Sequence, residues 1–219
     1  MSKKKILSLA LVAILVAIMS FGTLAWFNAS YSVTNRFHVA TSDDSSDSDD
    51  IFSVNVWEKN DLEGGGTEFK DILPGDTIRK EPIVENTGAY PQYIRMTVTL
   101  TDAAVWIAAL GNEYDLSTIF LGHDETLWTR GSADLVEDNL VYAYYLNEIL
   151  DPDEEVSLFT HVQIPASLTQ EQMAQLDGSF DLKVRADAIQ SENLGEGVDS
   201  AQKAFAAVQW GVYDDGPKA

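Results

Sequence analysis

The groups in this chain that could do chemistry are three histidines, His38, His123 and His161, and 35 acidic side chains, with no cysteine beside them. The histidines lie far apart, and none belongs to an H-E-x-x-H helix that would set two zinc ligands and a base on one face. His123-Asp124-Glu125 comes nearest to a metal cluster, and a loop of exposed polar residues accounts for it better. Without cysteine there is no thiolate nucleophile, thiolate metal site, disulfide or lipoprotein acyl-cysteine. No G-x-S-x-G elbow or G-x-x-x-x-G-K phosphate loop occurs. Carboxylates this numerous fall near one another by chance, so a paired-acid glycosidase site has no positive support. Leu73-Pro74-Gly75-Asp76-Thr77 superficially matches a sortase sorting signal, but it lies mid-chain with no hydrophobic tail behind it and reads as a turn. These residues point to no catalytic site, no metal and no cofactor, so the chain is not expected to be an enzyme.

Five tryptophans and eight tyrosines could form a carbohydrate platform, although packing in cores and interfaces is their commoner use. Lys+Arg 14 against Asp+Glu 35 gives a net charge of −21, which argues against nucleic acid as a partner. Such a charge keeps a secreted domain soluble and opposes self-association at low salt. Divalent cations such as calcium would relieve it.

The element that must be positioned lies near the start. Lys3, Lys4 and Lys5 form a basic region, residues 6–21 an apolar run, and Thr23-Leu24-Ala25 places small side chains ahead of a cleavage between Ala25 and Trp26. Residues 1–25 are therefore expected to be a signal helix. A retained anchor is the alternative, since the run extended through Phe27 approaches the roughly 20 residues that span a bilayer; the Gly22-Thr23 break argues against it. Beyond the cleavage point, residues 26–40 alternate. Phe27, Ala29, Tyr31, Val33, Phe37 and Val39 share one face, with Asn35 the exception, while Asn28, Ser30, Ser32, Thr34, Arg36 and His38 share the other. That is a strand with one buried face.

Residues 41–50 contain only Thr, Ser and Asp and cannot pack, so they read as an acidic linker. Their oxygens suit calcium, but the stretch lacks the glycine and terminal glutamate of an EF-hand loop. Ten such residues reach roughly 17–19 Å if flexible and at most about 36 Å if extended. The preceding strand can therefore fold back on its own domain or cross to a neighbour.

Over residues 51–212, strand and turn signals alternate at short spacing, the pattern of an antiparallel sandwich or jelly roll rather than a βαβ fold. Phe52, Val54 and Val56 alternate with Ser53 and Asn55, and a glycine loop follows at Gly64 to Gly66. Leu73-Pro74-Gly75-Asp76 suits a type II turn. Residues 77–85 read as a strand in which Pro82 marks an edge or bulge. In residues 92–101, Ile94, Met96, Val98 and Leu100 form a core face opposite Tyr93, Arg95, Thr97 and Thr99. Asp102 is placed to cap a helix over 103–110 that stops at Gly111-Asn112. Further strands are expected at 126–130, 140–146 and 156–164, with a turn at Asp151-Pro152-Asp153. Ser167-Leu168-Thr169-Gln170 resembles a capping box for a helix ending at Asp177-Gly178. Phe180, Leu182, Val184, Ala186 and Ala188 form another half-buried strand, and Ala201, Ala204, Phe205 and Val208 share a helical face before the polar tail 213–219.

Taken together, Gly22-Thr23-Leu24-Ala25-Trp26-Phe27-Asn28, Leu73-Pro74-Gly75-Asp76 with Glu85-Asn86-Thr87-Gly88, and Val208-Gln209-Trp210 resemble the TasA and camelysin family over most of the chain. These are secreted β-rich proteins of Gram-positive biofilm matrices, exported through a signal peptidase of the SipW type. The resemblance implies an all-β, jelly-roll-like subunit with short helices in its connections. It implies a homopolymer, a head-to-tail fibre built when each subunit donates its N-terminal strand to the next. It implies residence in the extracellular matrix or at the cell surface, with membrane contact only before cleavage, and no catalysis. The camelysin branch carries a metalloprotease label, which this chain's residues do not support. The acidic insertion 41–50 departs from the family pattern. A monomeric adhesin or carbohydrate-binding module is the alternative reading.

Overall fold

The computed structural model describes residues 28–36 as backbone, together with residues 53–58, 69, 72–111, 119–176, 180–192, 194 and 196–212. The expected signal segment 1–25, the expected linker 41–50 and the tail 213–219 lie outside the described residues, as do Phe27, Phe37 and Val39. Runs of β-branched and aromatic residues punctuated by Gly, Pro, Asn and Asp give a succession of short strands. In order they are β1 (Asn28–Arg36), β2 (Asn55–Glu58), β3 (Thr77–Arg79), β4 (Pro82–Glu85), β5 (Gln92–Leu100), β6 (Phe120–Leu121), β7 (Trp128–Val136), β8 (Asn139–Leu146), β9 (Glu155–Ser157), β10 (His161–Gln163) and β11 (Asp181–Gln190). Among the described residues three short helices lie in the connections: α1 (Ala103–Leu110), α2 (Gln170–Gln175) and α3 (Ala201–Ala207). Among the described residues no helix is long and apolar enough to cross a membrane.

The fold is all-β, and among the described residues every strand pairing is antiparallel. One sheet has the order β1-β11-β5-β8-β7; two smaller ones run β2-β4-β9 and β3-β10-β6. The smaller sheets share a single register. Ile78 faces Val162 and Val84 faces Val156, and between them the Lys80 N–H donates to the Thr160 carbonyl at 3.2 Å and the Leu158 N–H to the Pro82 carbonyl at 3.0 Å. They form one kinked layer, so the strands expected over 77–85 and 156–164 are each broken in two. Pro82, which has no N–H, sits at the first position of β4, a central strand rather than an edge.

The two layers enclose the core. Ile94, Met96, Val98 and Leu100 of β5, Leu140, Tyr142, Tyr144 and Leu146 of β8, and Leu182, Val184, Ala186 and Ala188 of β11 pack with Val54, Val56, Val84, Phe120 and Val162 of the kinked layer. Trp106 of α1 packs there too, edge-on to Phe180 at 4.8 Å between ring centroids. The second face of β5 departs from the expected solvated surface. Tyr93, Arg95 and Thr97 are all buried, because α3 lays Ala201, Ala204 and Phe205 across that face, followed by Trp210.

Local signals differ from expectation in three places. Asp102 adopts φ 57° and makes no side-chain cap, although α1 begins beside it and stops at Gly111, φ 81°. The reciprocal cap of α2 belongs to Thr169 and Gln172, not to Ser167: the Gln172 N–H donates to Thr169 Oγ1 at 3.2 Å and the Thr169 N–H to Gln172 Oε1 at 2.8 Å. β7 continues past Arg130 to Val136 through a bulge between Arg130 and Ala133. Gly131 sits in that bulge, where a Cβ would come within 2.7 Å of Tyr145 Cε2. A bulged edge strand resists further pairing.

Candidate assembly site at the β1–β11 edge

β11 alternates Leu182, Val184, Ala186 and Ala188 against Lys183, Arg185, Asp187 and Ile189, so its first set enters the core and its second set turns to the opposite face. β5 pairs one side of it over nine residues. β1 pairs the other side over nine, from Asn28 opposite Ile189 to Arg36 opposite Asp181, and itself forms the sheet edge. Here β11 belongs to the same chain as β1. Directly opposed residues share a face, so the register sets Ala29, Tyr31 and Val33 on the face of Ala188, Ala186 and Val184, and Asn35 on that of Leu182. Ser30, Ser32 and Thr34 stand opposite Asp187, Arg185 and Lys183 on the other face, and Arg36 opposite Asp181.

Beside that ladder, a charged clasp ties β11 to β5 and to the chain after α3. Asp187 is wholly buried and accepts from Arg95 Nε at 3.0 Å and Nη2 at 2.7 Å, and from Arg185 Nη2 at 3.1 Å. The same two guanidiniums hold the chain that follows α3. Arg95 Nη1 donates to the Trp210 carbonyl at 2.8 Å and Nη2 to that of Gly211 at 3.1 Å, while Arg185 Nη2 reaches the Val212 carbonyl at 2.7 Å. The Arg95 guanidinium also lies 4.3 Å from the Phe205 ring centroid and 5.5 Å from that of Trp210. One carboxylate therefore fixes two arginines that together clasp β5, β11 and residues 205–212. Sequence reasoning missed this clasp. A charged residue at the centre of each apolar strand was the available signal, but nothing local announces a partner 92 residues away.

Replacing Asp187 with alanine strands Arg95 in a buried site without its counter-charge. The expected cost is about 3–5 kcal/mol. At about 2–4 °C per kcal/mol for a chain of this size, thermal unfolding moves down by roughly 6–20 °C. A thermal melt checks this, and an unchanged midpoint would show the clasp to be idle.

The motifs at residues 73–76 and 85–88 and the tryptophan at 210 are structural nodes. Gly75 takes φ 92° in the turn it was expected to make, and the Asp76 N–H donates to the Leu73 carbonyl at 3.1 Å. Asn86 is fully buried. Its Nδ2 donates to the carbonyls of Tyr90 at 2.9 Å and Leu150 at 2.8 Å, and its Oδ1 accepts the Gly88 N–H at 3.0 Å. Trp210 is the ring at the clasp.

His123, Asp124 and Glu125 do not converge. His123 Nδ1 lies 3.2 Å from the Leu158 carbonyl and its ring is tilted against Tyr144. The Thr126 hydroxyl and N–H, 2.6 Å and 2.8 Å from Asp124 Oδ1, hold that carboxyl below the usual carboxylate range. These are the bonds of a turn. Among the described residues no three His, Asp or Glu side chains are grouped to hold a metal ion. Of the remaining predicted site residues, Ala25, Trp26, Phe27, Phe37 and Val39 lie outside the described residues.

Compared with known proteins, the chain matches no family model, no curated protein and no solved structure.

Proposed function

We propose that this is a secreted structural protein that polymerises into extracellular matrix fibres by passing its N-terminal strand to the next subunit, as in the TasA and camelysin family that it resembles. One observation carries the proposal. β1 is an edge strand that follows the expected signal cleavage site and takes its whole ladder from β11. A second copy of β1 would satisfy the same backbone groups in the same register, so exchange conserves the hydrogen bonds and leaves every β11 slot filled. Donation from head to tail does not close on itself and yields filaments.

The strand order supports a jelly-roll reading. β1-β11-β5-β8 forms one four-stranded set, and β2, β3/β4, β9/β10 and β6 supply four neighbouring strands of the other layer; β7 joins the first sheet beside β8. The signal helix 1–25, cleaved by a SipW-type peptidase, would hold the strand at the membrane until release, and the acidic linker 41–50 would span the two subunits.

Electron microscopy of protein beginning at Trp26 tests this reading. Filaments are expected, forming faster at about 0.15 M salt, where the Debye length is about 8 Å, than at about 0.01 M, where it is about 30 Å. Discrete single particles under all conditions would favour the monomeric adhesin.

A further inference from the structure

We infer that Lys80 and Glu58 condense into an intramolecular isopeptide bond that fastens β2 to the kink between β3 and β4. Lys80 Nζ donates directly to Glu58 Oε1. The Lys80 side chain is 0% exposed and that of Glu58 3%, and Lys80 is the one lysine buried among the described residues. The ion pairs Lys203–Asp199 and Arg79–Glu81 reach water instead, with the cationic partner 56% exposed in each. Arg95, the other fully buried cation among the described residues, carries a delocalised guanidinium that is a poor nucleophile. Among the described residues only the Lys80 pair sets a primary amine against a carboxyl group with solvent excluded.

Burying two charges costs desolvation that their attraction repays only in part, and forming an amide removes both charges. Lys80 Nζ passes one proton to the Glu58 carboxyl, and its freed lone pair attacks Glu58 Cδ. The bond from Cδ to the protonated oxygen then breaks, and that oxygen leaves as water with a second proton from Nζ. One Cδ–Nζ amide forms, one water is released, and nothing is oxidised or reduced. The fold supplies the proximity that makes such a step unimolecular. β2 places Glu58 opposite Pro82, and Lys80 shares the inward face of its strand with Ile78 and Val84 while its N–H stays bonded to Thr160.

A chain without cysteine cannot staple itself with a disulfide, and this bond would fill that role at a telling place. β2 is the first strand after the linker, and β4 is its ladder partner over only four residues. If the subunit is pulled through the linker, load enters at β2, and an amide at its last residue carries that load into β3 and β4. This mechanical use rests on the proposed fibre; the bond itself does not.

The test is mass spectrometry of the intact purified chain with its N-terminus sequenced. The expected mass is one water below that of the sequence. Trypsin is expected to release a branched species joining residues 37–59 to residues 80–95, with no cleavage after Lys80. In Lys80→Arg both signatures vanish. A full sequence mass with a free linear peptide 81–95, or a water loss located elsewhere, overturns the inference even if Lys80→Arg does not fold. Fibres without the branched species would refute the bond and spare the polymer; the branched species without fibres would do the reverse.

Discussion

Deleting residues 26–40 is expected to abolish fibres while leaving a domain that binds the missing strand in trans. The deletion removes the whole β1 ladder and uncovers the free edge of β11 from Asp181 to Ile189. It also uncovers core positions beside Leu182, Val184, Ala186 and Ala188. β11 itself keeps its nine-residue pairing with β5 and its place in the Arg95–Asp187–Arg185 clasp, so the slot persists as a docking surface of lower stability. A synthetic peptide of residues 27–39 should restore that stability, by about 2.7 kcal/mol when present at 100 times its Kd. A peptide carrying Tyr31→Asp and Val33→Asp should not, because a carboxylate on the core face is buried without a partner. Normal fibres from the deleted chain would show that the strand is not the link.

The elements that follow from local pattern were legible in the sequence. β5 and β11 announce themselves by strict alternation through Ile94, Met96, Val98 and Leu100 and through Leu182, Val184, Ala186 and Ala188. Gly75, Gly111 and Asp153 take the positive φ values that their turns and stops demand. What depends on contacts between distant segments was not legible. Arg95 and Tyr93 have the spacing of a solvent face and become core only because α3 returns across it. Lys80 reads as an ordinary strand lysine until Glu58, from β2, is brought against it. The strand expected over 126–130 extends to Val136 in β7 although Gly131, Ser132 and Asp134 carry no strand signal of their own; β8 holds them through pairing. Half of the candidate assembly site was visible in the same way. The alternation of β1 can be read from its residues, whereas its partner strand and register are properties of the fold.

In the proposed fibre β1 must leave its own chain, and a single pair of cysteines can report it. Thr34 and Lys183 are opposed across the β1–β11 ladder on the face away from the core. Directly opposed residues lie about 4.5–5.5 Å apart at Cα, a spacing that a disulfide can span. The chain offers no competing thiol. In Thr34→Cys with Lys183→Cys, oxidised after assembly and run on a denaturing gel without reductant, fibres are predicted to give a ladder of covalent multimers. The same protein oxidised before assembly is predicted to run as a monomer closed on itself and to form no fibres. Fibres whose disulfides all lie within single chains would contradict strand donation.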